Sequence, residues 1–336
     1  MDRSPTDLPA GPGDRAMRDE PGFWSRRGRV VTTLLFYGLL SGFLAFYLQA
    51  MDWRAIGSMH PDFRFLLLAL PFSLSARMLQ PIAWSGLVRD YGECPPPYAQ
   101  MSHIYAKSWL GRYVPGKIAW IGGKVFFGSR YQMRKGVLAL TSVIDAGIQL
   151  ITGLTVAFVL LSVSGSGVLL PRALRVLAIF GFVLLTLSLT PPIFNRAARI
   201  AYRVFRRGQT PTGSRLSTGG LARTACVYLG VQILGTGVPF FLIKALHPAL
   251  RATAYPFVGG ATLIAGTLGT LAVFAPSGLG VREGILIVLL KAVVPTQAAV
   301  FAAVLMRLWS VAVDLLFYGT TAALNRMRSP PVGNAL

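Results

Sequence analysis

The chain has 336 residues, 53% apolar and only 13% charged, with 33 Lys and Arg against 12 Asp and Glu for a net charge of +21. A soluble domain carries roughly 25% charged residues, and here the apolar residues come in blocks near the ~20 residues that cross a bilayer. That excludes a soluble enzyme, a secreted disulfide scaffold and a disordered chain. The basic residues gather between the apolar blocks, which points to membrane orientation and not to nucleic acid.

Residues 1–29 are polar, rich in Pro and Gly, and end in Arg26, Arg27 and Arg29; they read as a disordered cytoplasmic tail. The apolar run 30–50 has no convincing small-residue cleavage site and reads as a retained first span. Loop 51–62, with one Arg and two Asp, falls on the opposite side. The second span, 63–87, carries Arg77 within Ser73-Leu74-Ser75-Ala76-Arg77.

Region 88–136 holds Arg89, Lys107, Arg112, Lys117, Lys124, Arg130, Arg134 and Lys135, so it returns to the cytoplasmic side. Within it two short pieces flank the break Gly111-Arg112-Tyr113-Val114-Pro115-Gly116-Lys117. Neither piece can span alone, so the pair forms a re-entrant hairpin or two interfacial helices. Trp109 and Trp120 read as interface anchors, and His103 as an isolated interfacial histidine.

Further spans follow at 137–163, with Asp145, and at 174–194, 221–243 and 254–275. Segment 195–220 has Arg196, Arg199, Arg203, Arg206, Arg207 and Arg215 with no acid, and is cytoplasmic. Ala261, Ala265 and Gly269, spaced by four, allow close helix packing. A second break, Pro276-Ser277-Gly278-Leu279-Gly280-Val281-Arg282-Glu283-Gly284, precedes 279–294, which is apolar but only 16 residues long. The final span, 296–323, contains Arg307 and Asp314. The fold class is all-α: a polytopic transmembrane bundle of about eight spans, or seven if 279–294 is re-entrant. The membrane domain covers 30–325, and 326–336 is a short tail.

Beyond residue 100 there are 23 basic residues and three acids, Asp145, Glu283 and Asp314, all in or beside apolar spans. A carboxylate at mid-helix costs a few kcal/mol on insertion scales, so each should face the bundle interior and pair with a base. Arg307 and Asp314, seven apart on one helix, are too distant for a close pair and look to other helices; Arg77 is a natural partner for Asp145 or Asp314. Two functions fit these charges: structural ion pairs that hold the bundle, or a polar headgroup pathway lined by Arg77, Arg112, Lys117, Asp145, Arg282, Glu283, Arg307 and Asp314. The breaks at Pro115, Gly116, Pro276, Gly278 and Gly280 read either as tight turns or as the discontinuities that build a transport site. Cys94 and Cys226 form no metal or redox spacing. No catalytic or phosphate-loop motif occurs, so neither an enzyme nor a cofactor or metal is expected.

The run Trp109–Lys117 and the run Pro276–Gly284, with Arg77 and Arg307, resemble the hallmark segments of the lysylphosphatidylglycerol synthase transmembrane, or flippase-like, family. The resemblance covers roughly residues 30–325, and the chain departs from it in lacking a Glu–Arg pair just before the third span. It implies a bacterial or archaeal inner-membrane protein, a stand-alone member without the soluble aminoacyl-transferase domain. The expected function is translocation of a phospholipid or polyprenyl-linked lipid between leaflets, with anionic membrane lipids as partners. The alternatives are a membrane-embedded lipid-modifying transferase, or a non-catalytic scaffold for a separate lipid-modifying enzyme.

Overall fold

In the computed structural model, residues 61–113, 119–164, 217–272, 278 and 280–328 are described, with isolated positions between 176 and 196. The predicted span at 30–50 and most of that at 174–194 lie outside these residues, as do Pro115, Gly116, Lys117 and Pro276. The described part consists of α1 (Phe63–Asp90), α2 (Tyr98–Trp109), α3 (Ala119–Gly128), α4 (Lys135–Val163), α5 (Thr218–Leu246), α6 (Tyr255–Leu271), α7 (Val281–Leu290) and α8 (Thr296–Arg328). α1, α4, α5 and α8, and α6 together with the helical turn before it (Ala252–Leu271), are long and apolar enough to cross a membrane. At most half of the most apolar window of each is buried within the protein. Outward-facing side chains such as Leu67, Val288 and Leu308 are more than half exposed, as expected of helices whose outer solvent is lipid.

Caps and contacts fix the directions. Asp62 caps α1 by accepting the Arg64 N–H at 3.0 Å, and Ser217 caps α5 by accepting the Gly220 N–H at 3.1 Å. Along the antiparallel α1–α5 seam, the Asp62 N–H meets the Ala245 carbonyl, Phe72 packs on Phe241, and Arg223 pairs with Asp90. α8 runs parallel to α1, since Trp309 donates to Ser73 and Asp314 pairs with Arg77. α4 is antiparallel to α6: Gly153 lies beside Thr267, and Gly260 beside Ala157 and Leu161. The ends of α1 and α8 and the starts of α4 and α5 therefore share one face, here the far face; the near face holds the starts of α1, α6 and α8.

The helices on either side of the two breaks pair as two hairpins, α2 with α3 and α6 with α7. The α2–α3 arms pack closely: a Cβ on Gly111 would meet the Ala119 carbonyl group at 3.0–3.1 Å, and one on Gly123 would meet Ser108. Both arms start from the far face, and Tyr113 at the tip reaches Asp314 on α8. α2 and α3 thus pack as two arms that enter the helix bundle, and not as two helices lying across its surface. The second hairpin comes from the near face. α6 descends, and α7 returns along it, with Arg282 against Gly269 and Leu286 and Leu290 in a core with Val258 and Ala265. Gly278, at φ +68°, closes the turn where a Cβ would lie 2.6 Å from the Gly269 carbonyl oxygen.

Of the two readings of 279–294, a full crossing or a re-entrant segment, the helix length favours the second. α7 has ten residues, about 15 Å at 1.5 Å per residue, half of the ~30 Å hydrocarbon core. It still reverses the chain, so α8 ends on the same face as α1. The helical end also extends past the expected boundary at 325, to Arg328.

Candidate functional site

The apolar helices carry polar side chains at mid-length. Gln149 and Gln232 each have fourteen residues of their 29-residue helices on either side, and Arg77 is equally central in α1. With Thr267 on α6, Ser310 on α8, Arg282 in the first turn of α7 and Arg112 at the α2–α3 tip, they surround a cavity of about 360 Å³. That volume is within the ~300–1,000 Å³ of ordinary ligand pockets. Residues beside both breaks, Arg112 and Arg282, therefore face one chamber at the mid-length of the long helices.

One end of the chamber is strongly basic. Arg77 Nη2 lies 2.9 Å from Asp314 Oδ1, and Arg112 Nε lies 3.6 Å from Asp314 Oδ2. The Tyr113 hydroxyl donates to the same Oδ2 at 2.7 Å. Behind the wall, Arg307 Nη1 stands 3.7 Å from Glu283 Oε1, while Glu283 Oε2 accepts the Gly280 N–H at 2.9 Å and caps α7. Among the described residues no carboxylate comes within ion-pair distance of Arg282. Three guanidiniums thus share two carboxylates, with that of Arg282 as a fourth on the same wall. Trp109 lies under Arg77 and Arg112 at 5.0 and 5.1 Å, a cation–π arrangement that holds both planes in place.

A second polar network is sealed beside the chamber. Lys124 Nζ lies 2.6 Å from Asp145 Oδ2, and both side chains are fully buried. Tyr105 donates to Oδ2 at 3.3 Å and Tyr228 donates to Oδ1. The ammonium also sits over the rings of Tyr105, Trp84 and Trp120, at 3.9, 4.8 and 5.3 Å. Every strong acceptor of the carboxylate is taken, so the network joins α2, α3, α4 and α5. Only Trp120 belongs to both this cage and the cavity wall.

The structure sorts the residues predicted from sequence. Arg77, Arg112 and Arg282 line the cavity; Asp314, Glu283 and Arg307 pair immediately behind it; Asp145 is closed off with Lys124. Arg77 pairs with Asp314 and not with Asp145. Trp109 and Trp120 are wall residues rather than interface anchors, and His103 stacks near Tyr318, 5.4 Å between ring centroids. Residues that the sequence did not single out are Lys124, counted only as a loop charge, Tyr105, Tyr113 and Tyr228, and the cavity glutamines Gln80, Gln149 and Gln232. A glutamine at the midpoint of an apolar span is a readable signal, because its amide needs partners that lipid cannot supply.

The chain shows no significant match to a curated protein. The model of the lysylphosphatidylglycerol synthase transmembrane region matches residues 30–317, which include both hairpins, the arginine-lined chamber and the Lys124–Asp145 network. This protein is a multi-pass membrane protein that belongs to the lysylphosphatidylglycerol synthase transmembrane family.

Proposed function

We propose that this protein is a lipid translocase of the cytoplasmic membrane, moving a phosphate-bearing lipid headgroup between leaflets while the acyl or prenyl tails stay in the hydrocarbon. One observation carries this reading: a chamber at the mid-length of the long helices walled by Arg77, Arg112 and Arg282 in excess of their carboxylates. Planar guanidiniums bind phosphate oxygens through paired, charge-assisted hydrogen bonds of about 1.5–3 kcal/mol each. The hairpins bring backbone to the chamber from opposite faces, the arrangement by which discontinuous helices build midplane transport sites. The far face bears Arg89, Arg134, Lys135 and Arg223, with Arg326 at its C-terminal helix end, and by the basic-loop bias it is the cytoplasmic one. The wall presents guanidiniums, amides and indoles, which favours binding over acid–base chemistry.

Reconstitution into liposomes with labelled phospholipids tests the reading. Arg282→Lys should slow transbilayer movement at least ten-fold per folded protein, since an ammonium cannot supply the bidentate contact. Wild-type rates in Arg282→Lys, or the absence of transport in the wild type, would reject it.

A further inference from the structure

The two buried acids that meet bases in this bundle are held differently. Asp145 has aligned partners: the Lys124 ammonium donates to it at 2.6 Å, two tyrosines add hydrogen bonds, and the pair is sealed from the chamber. Asp314 is as deeply buried, yet only Tyr113 makes a well-formed hydrogen bond to it, at 2.7 Å. Arg77 and Arg112 are within ion-pair distance of its two oxygens, but Asp314 Oδ1 and Arg112 Nε are both buried atoms without a hydrogen-bond partner. The carboxylate therefore offsets two guanidinium charges through space while leaving directional bonding capacity unused. Ion pairing without aligned hydrogen bonds forgoes much of the strength of a charge-assisted pair.

Arg77 and Arg112 also line the chamber, and Asp314 stands behind them. An oxyanion in the chamber would offer each guanidinium the aligned, bidentate partner that Asp314 does not supply. To take it, Arg112 must turn away from Asp314. Two features ease that turn. Arg112 sits in the 3-10 turn Leu110–Tyr113, none of whose four residues is buried, so no packed side chain has to move with it. Tyr113 keeps its hydrogen bond to Oδ2, so the carboxylate left behind retains a donor in a medium of low dielectric. The exchange is as important on exit. A pathway must bind its cargo well enough to load and weakly enough to unload, and arginines with no internal counter-ion would hold a phosphate without release.

We infer that Asp314 is a built-in competing anion: it occupies Arg77 and Arg112 while the chamber is empty, yields them to an entering oxyanion, and reclaims them as that anion leaves. Tyr113 steadies the carboxylate while the arginines are away. Asp314 is thus a positioning residue that acts through the arginines and never touches the cargo. That the oxyanion is a lipid phosphate rests on the translocase reading.

Trp109, Trp120 and Trp309 line the chamber, so indole fluorescence of the purified full chain reports occupancy. The titrants are short-chain phosphatidic acid and soluble glycerol phosphate, and transbilayer movement of chain-labelled phosphatidic acid is followed in liposomes, both per folded protein. Asp314→Asn keeps the shape and an acceptor oxygen but removes the charge. It should bind phosphatidic acid about ten-fold more tightly, because the arginines no longer have to be freed first, and move it about ten-fold more slowly. Tyr113→Phe has the opposite sign: without its donor the carboxylate keeps the arginines, and binding should weaken about five-fold. A merely structural pair would give no gain in affinity in either variant. Unchanged or weaker binding in Asp314→Asn overturns the inference, as does tighter binding with undiminished transport, or binding in Tyr113→Phe that is not weakened. If Asp314→Asn yields no folded protein, Tyr113→Phe decides alone. The opposed shifts with no lipid movement by the wild type, or with glycerol phosphate bound as tightly as the lipid, support the exchange and reject the translocase reading; a wild type that binds neither titrant rejects both.

Discussion

Lys124 and Asp145 are the most deeply buried ion pair described, and their energetics differ from those of the arginines nearby. A buried pair returns little more than its desolvation, but removing one partner strands the other and costs about 3–5 kcal/mol. Lys124→Met should therefore destabilise strongly, and adding Asp145→Asn should recover part of the loss, because the two changes act on one interaction. Thermal unfolding in detergent checks this; a single variant as stable as the wild type would show that the pair does not hold α3 in place. Sequence reading found Asp145 because an acid in an apolar span is conspicuous. It missed Lys124 because that lysine sits in a stretch rich in basic residues, where only three-dimensional packing separates a buried ammonium from a solvated one. Arg77, Arg282 and Arg307 were legible for the same reason as Asp145, while the choice of Asp314 as the partner of Arg77 needed the register of α8 on α1.

At the scale of elements, both breaks were visible as Pro-Gly interruptions, but their geometry was not. Hydropathy cannot separate a hairpin from a pair of surface helices, since both are short and apolar; the Gly111–Ala119 approach decides it. The return arm 279–294 was overestimated because its apolar run continues through the turn at 291–295, beyond the helix end at Leu290. Gly278 gives a sharp test. Its positive φ and the 2.6 Å approach to the Gly269 oxygen leave no room for a side chain. Gly278→Ala should cut the yield of folded protein severely. Gly284→Ala, at a site where a Cβ meets nothing within 4 Å, should leave it unchanged. Equal yields from the two would place the turn elsewhere.

For the whole molecule, the loop charges alone predicted alternating faces, and the helix directions give the same relative order for every described segment. In a background with Cys94 and Cys226 replaced, Arg130→Cys and Arg326→Cys should react with an impermeant thiol reagent from one side and Arg251→Cys from the other. Reaction of 326 and 251 from the same side would remove α7 as a return arm. The Arg77–Asp314 pair also has a consequence for biogenesis. The two residues are 237 positions apart in the chain, so at about 5–20 residues per second the ribosome delivers the aspartate on the order of tens of seconds after the arginine. An unpaired arginine at the centre of a span carries an insertion penalty of about 2.5–3.5 kcal/mol. Through that interval α1 is a poorly inserting nascent segment that waits for α8, and nascent chains stalled ahead of α8 should remain extractable from the membrane or be degraded, whereas completed chains stay integrated.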